Sequence, residues 1–209
     1  MPTTQILTDF LRGALAQQEP FAKQLQAIDP QALFGIDHFQ RHLNNPLLSS
    51  DWLQVSLNNQ LINLDGDCLW KMVQRKKLVF IDKQKIQTAL LQGAAVVLEG
   101  LDILDPKIKQ LLADVDNLFP CALSNAEGFF SQKGNEAYTG HRDSDDVLVI
   151  QISGRKHWHV HHPQQRRYFG NTPLSKEQMG PVLAELDLII SPPSASAWPS
   201  SRSSPSTIS

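Results

Sequence analysis

His141 and Asp143 stand two residues apart in TGHRDSDDVLVIQISGRKHWHVHHP, residues 139–163, a stretch that holds five of the chain's seven histidines. On a strand, that spacing turns both side chains to one face and Arg142 to the other. An imidazole nitrogen beside a carboxylate oxygen supplies two corners of a 2-His-1-carboxylate set, which leaves three positions on an Fe(II) ion open. Lys156 follows Asp143 by thirteen residues, across a tight turn at Gly154. A hairpin there brings an ammonium back beside the metal pair, where it can hold a carboxylate.

The same stretch offers a second metal chemistry. His157, His159 and His161 alternate along one strand face, while Lys156, Trp158 and Val160 share the other. Neighbouring side chains on such a face lie ~7 Å apart, so two of these histidines can chelate zinc or nickel, whereas three converge poorly on a straight strand. With Lys156 and Trp158 turned inward, the histidines form a polar outer face.

The surrounding chain bounds these readings. It has 209 residues, 41% hydrophobic and 19% charged, which suits a globular domain with a helical appendage. A net charge of −2 sets up no basic field toward nucleic acid or a membrane, although Arg166-Arg167-Tyr168 is a local group suited to an acidic or RNA-bearing partner. Cys68 and Cys121, the only cysteines, are too few for a cysteine-rich zinc site and suit a reduced compartment. No apolar run reaches the ~20 residues of a membrane span. The first residues lack the basic-then-apolar layout of a secretion signal, and the expected location is the cytoplasm.

Elements that could position the chemistry follow from periodicity and punctuation. Residues 3–28 read as helix from Ile6, Phe10 and Ala14. Asp37 caps a short helix through Phe39 and Leu43, and Ser50 with Asp51 marks another start before Trp52. Lys77–Ile81 is a strand, residues 82–92 are helical with Gly93 as a left-handed stop, and residues 94–98 are a buried strand. Asp105-Pro106 opens an amphipathic helix carrying Ile108, Leu111, Leu112, Val115, Leu118 and Phe119. Residues 121–130, 146–152 and 156–161 read as strands. Trp52 and Trp70 read as core or helix-packing residues, and Trp158 as core. The expected class is α+β, divided as a mainly helical region 1–76, a β-rich core 77–190 and a Ser/Pro-rich tail 191–209 that cannot bury enough apolar surface to fold alone.

The segment GHRDSDDVLVIQISGRKHWHV, residues 140–160, resembles the core of the Jumonji-C oxygenases, in particular the cupin-4 branch that includes the ribosomal oxygenases. The matching features are H-x-D, an acidic-aliphatic segment ending in Gln151, and G-R-K-x-W-x-V, with Ser124-Asn125 upstream. The likeness is specific over residues 121–163 and loose over 30–120. It implies a double-stranded β-helix of the cupin or jelly-roll type, preceded by a helical region. It also implies an Fe(II)- and 2-oxoglutarate-dependent dioxygenase that hydroxylates a protein side chain, with ribosomal proteins among the substrates of such enzymes. By that resemblance His141 and Asp143 bind the metal, Lys156 holds the 2-oxoglutarate carboxylate, and Asn125 lines the pocket.

The resemblance fails after about residue 193. The family's third ligand is a histidine ten residues after the aspartate of an element like G-D-L-L-Y-x-P-x-G-x-x-H. Here LDLIISPPSASAW, residues 186–198, stands in its place, Asp187 matches the aspartate, and Ala197 falls where the histidine is expected. The composition shift at about residue 190 implies a disrupted reading frame and a barrel left incomplete at its C-terminal side. An inactive remnant that serves as a binding module is therefore a second expectation, beside the enzyme. A metal-storing or metal-sensing cupin built on the histidine run is a third.

Overall fold

The computed structural model describes residues 3–15, 29–118, 124–131, 141–142, 147–163, 172–173 and 179–190. The helices are α1 (Thr3–Leu15), α2 (Pro30–Phe34), α3 (Ile36–Leu43), α4 (Lys83–Leu91), α5 (Leu101–Leu104) and α6 (Pro106–Asp116). Three of them start on an aspartate whose carboxylate accepts backbone N–H bonds of the first turn. Asp29 accepts from Gln31, Asp82 from Gln84 and Lys85, and Asp105 from Lys107 and Ile108. Pro30 and Pro106 occupy the first helical position, where the missing N–H costs nothing. The start of α3 differs from expectation. Gly35 is its N-cap, and Asp37 sits one step inside, in the first turn, where its charge favours the helix dipole. Ser50–Trp52 forms only a single 3-10 turn.

The strands are β1 (Leu53–Leu57), β2 (Gln60–Leu61), β3 (Asp65–Val73), β4 (Lys76–Ile81), β5 (Ala95–Leu98), β6 (Gly128–Phe130), β7 (His141–Arg142), β8 (Gly154–Pro163), β9 (Thr172–Pro173) and β10 (Met179–Ile190). The pairings are antiparallel. They give one four-stranded sheet, ordered β2-β1-β5-β6, and the pairs β3-β4, β7-β9 and β8-β10. Among the described residues these sheets do not close into a barrel.

The core sits on the four-stranded sheet. Every residue of β5 is buried, as expected for a central strand, and Val55 faces Val96, which in turn faces Phe130. Ile86, Ala89 and Leu90 of α4, with Leu101 and Ile108, pack on that sheet. Gly93 has a φ of 90° and ends the α4 segment as expected. Trp52 packs partly buried against the core. Its ring lies over Gly100, where a Cβ would come within 2.3 Å of the indole and φ is 64°.

Several expectations are corrected. The region to residue 76 holds strands beside its helices: β1 belongs to the core sheet and the β3-β4 hairpin runs across residue 76. Both hairpin turns use non-glycine residues at positive φ, Asn58-Asn59 and Gln74-Arg75. Trp70 is half exposed, with the Lys77 ammonium 5.4 Å above its ring, because a two-stranded ribbon leaves one face in water. Residues 147–152 form no strand, and Val147, Leu148 and Val149 are exposed. Of the described residues 124–130, only Gly128–Phe130 is strand. The helix expected over 16–28 and the tail from 191 lie outside the described residues.

Asp105 and His42 form the polar join beneath this core. Asp105 Oδ2 lies 3.0 Å from His42 Nε2, and their side chains are 5% and 11% exposed. Burial raises the Asp105 carboxyl. The hydrogen bond from His42, the N–H groups of Ile108 and Lys107, and the charge of a protonated His42 outweigh it, leaving the carboxyl below its usual range. A depressed folded value means that the contribution is present above the ordinary aspartate range and lost as pH falls through the folded value. Asp105→Ala is expected to cost about 2–4 kcal/mol in denaturant unfolding, about 1 for the cap and the rest for stranding His42. Asp105→Asn is expected to flatten the acid limb of the stability profile. Gly100→Ala is expected to cost about 2–4 kcal/mol, from left-handed strain and from displacing Trp52.

Candidate functional site

β8 carries the expected cation. Gly154 opens the strand at a φ of 75°, and from there side chains alternate. Lys156, Trp158 and Val160 are half-buried, while His157 and His159 are exposed, so the inward face is the one expected. Two long-range contacts tie the start of β8 to α2 and β6. Gln31 Nε2 donates to the Ile152 carbonyl at 2.9 Å, and the Lys156 ammonium lies 5.5 Å from the Phe129 ring centroid. The Trp158 ring lies 5.9 Å from the same ammonium.

This cation is desolvated, and no described carboxylate matches it. Burial is the cause that holds the Lys156 ammonium below the usual lysine range, and among the described residues no carboxylate pairs with it. The aromatic faces compensate only in part. Trp158 adds a second donor, since its buried indole nitrogen has no hydrogen-bond partner among the described residues. Two neighbouring donors lacking acceptors suit an anionic ligand.

The remaining site residues are placed less completely. His141 is exposed on β7, where it pairs with Pro173. Asp143 and Ala197 lie outside the described residues, so the metal pair is not assembled among those that are described. Asn125 is exposed. Its segment is moored to α5 and α6: the Ser124 N–H donates to Asp116, the Ala126 N–H donates to Asp102, and the Ala126 carbonyl accepts from Leu101. β7 pairs with β9 and β8 with β10, so His141 and Lys156 stand in different sheets. Sequence reasoning missed Glu185, which β10 sets directly opposite His159. No local spacing links it to the histidines.

Residues 102–193, a little under half of the chain, match the sequence model of the JmjC domain. That domain has the cupin-like jelly-roll fold and belongs to a family of Fe(II)/2-oxoglutarate oxygenase type. The match takes in α5 from its second residue, α6 and every strand from β6 to β10. No curated protein matches the chain. Among the described residues, no helix is long and apolar enough to cross a membrane.

The burial of Lys156 has a measurable consequence for stability. Because its folded value is depressed, the unfolded chain binds more protons in the alkaline range, and stability rises as pH climbs toward the ordinary lysine value. Lys156→Met removes the uncompensated charge and keeps the stem. It is expected to raise stability by about 1 kcal/mol, seen as a melting temperature roughly 2–4 °C higher, and to remove that alkaline rise. A lower melting temperature in the variant would show that the ammonium has an anionic partner in the folded chain.

Proposed function

The chain carries a JmjC domain, and we propose that it works as an Fe(II)- and 2-oxoglutarate-dependent oxygenase in which Lys156 binds the co-substrate. The observation that carries this reading is a half-buried ammonium with no carboxylate against it among the described residues. It stands at the position that the family resemblance gives to the 2-oxoglutarate clamp. The Trp158 N–H, which also has no acceptor among the described residues, supplies a second donor for the same anion. Phe129 and Trp158 line the approach with ring faces, which suit the two methylenes of the keto acid and strengthen the ion pair by excluding water.

His141 and Asp143 are the residues that would hold the metal, and an imidazole with a carboxylate is a donor set suited to Fe(II). When bound, Fe(II) with 2-oxoglutarate supplies oxidative decarboxylation to succinate and CO₂, coupled to hydroxylation of the substrate. The chain's own residues bind and orient: Lys156 fixes one end of the co-substrate, and the aromatic pair limits the poses of the other. The substrate in this reading is a protein side chain. Ribosomal proteins are the first to test, because residues 140–160 resemble that branch most. The two-cysteine composition supports work in the cytoplasm.

One observation favours a second reading, a domain that binds 2-oxoglutarate without turning it over. Ala197 stands where a third ligand is expected, and a methyl group donates nothing to a metal. The experiment pairs turnover with binding on the full chain. Under the oxygenase reading, succinate forms only with Fe(II), 2-oxoglutarate and O₂. Turnover then disappears in His141→Ala and Asp143→Ala, while Lys156→Met raises the KM for 2-oxoglutarate at least about tenfold, the loss of a charge-assisted contact. Binding without succinate, lost in Lys156→Met and with turnover gained in Ala197→His, establishes the second reading. Neither binding nor turnover overturns both.

A further inference from the structure

The outer face of the β8-β10 pair gathers a second set of metal-type ligands. His157, His159 and Glu185 each place one ligand atom within 4.8 Å of the others, and all three are exposed. Two regularities produce this. Period two along β8 puts both imidazoles on one face, and their rings meet edge to face with centroids 4.6 Å apart. Antiparallel pairing then sets Glu185 directly opposite His159, in a register that runs without a bulge from Ala184 to Ile190. His159 Nδ1 lies 3.9 Å from Glu185 Oε1.

A tetrahedral zinc ion at ~2.0–2.1 Å from each ligand needs ligand atoms about 3.3 Å apart. The present separations close to that value by turning exposed side chains, with no shift of the strands. A third histidine on the same strand cannot converge so well, whereas a carboxylate from the neighbouring strand approaches from the side.

We propose that His157, His159 and Glu185 form a site for a divalent transition-metal ion of the zinc class. It is separate from the family's metal position at His141 and Asp143. Two imidazoles and a carboxylate suit such an ion and leave a fourth position for water. An ion here joins two strands that, among the described residues, form a two-stranded sheet, marginal by itself. It therefore steadies β8, the strand that carries Lys156 on its other face.

Calorimetric titration of the full chain with Zn(II) alone tests this. The parent chain and His141→Ala are expected to bind zinc at this site alike, while His157→Ala/His159→Ala loses one equivalent. Glu185→Gln is expected to weaken binding at least about tenfold, since losing even an outer partner of a ligand costs that much. Zinc is expected to raise the melting temperature of the parent chain and not that of the double variant. Should circular dichroism show the double variant misfolded, His157→Gln and His159→Gln, which keep a polar side chain at each exposed position, are each expected to weaken binding at least about tenfold. Absence of zinc binding in the parent, or binding unchanged in the folded histidine variants, overturns the proposal.

Discussion

Asp105 is the group on which the arrangement rests. One carboxylate oxygen caps the helix that begins at Pro106, and the other meets His42, sixty-three residues earlier in the chain. A buried carboxylate is tolerable only when its lone pairs are used. Here they are used twice, once within its own helix and once across to α3. The sequence-local and the sequence-distant halves of the core are thereby locked by a single side chain.

From that join the contacts run in order toward the candidate site. His42 stacks on Phe34 with centroids 6.0 Å apart, Phe34 meets Phe39 edge-on at 6.5 Å, and Phe39 stacks on Phe130 at 5.8 Å. Phe130 is the inward residue of β6. Its neighbour Phe129 turns to the opposite side by the pleat of the strand, where it meets Lys156. The same alternation divides β8 into a face that buries a cation and a face that displays imidazoles. One strand thus carries two different sets of ligand-type side chains, because period two separates them.

Much of the frame was legible in the sequence for local reasons. Asp82 and Asp105 start helices because a short carboxylate reaches the first-turn N–H groups, and Gly93 stops one because only glycine enters the left-handed region at little cost. The alternation from Lys156 to Val160 foretold which side chains turn inward. Other features were hidden. The β1-β2 turn at Asn58-Asn59 had an asparagine signal that was passed over, while Gln74-Arg75 carries none of the usual turn residues. Val147 to Val149 looked like a strand from composition alone, but hydrophobicity by itself does not pair a segment, and among the described residues this one joins no sheet. Trp70 looked like core, and the two-stranded ribbon left it in water.

The sequence by itself determined the chemistry available: an H-x-D pair, a lysine thirteen residues on, an alternating run of histidines, and an alanine at position 197. These are matters of residue type and spacing along one segment, which short-range geometry reads directly. Only the tertiary structure decided what each group meets. It set Phe129 against Lys156 and Glu185 against His159, and it brought His42 to Asp105. Those meetings depend on strand register and on loop closure over tens of residues, where the free energy of many weak contacts, rather than any local preference, selects the partner.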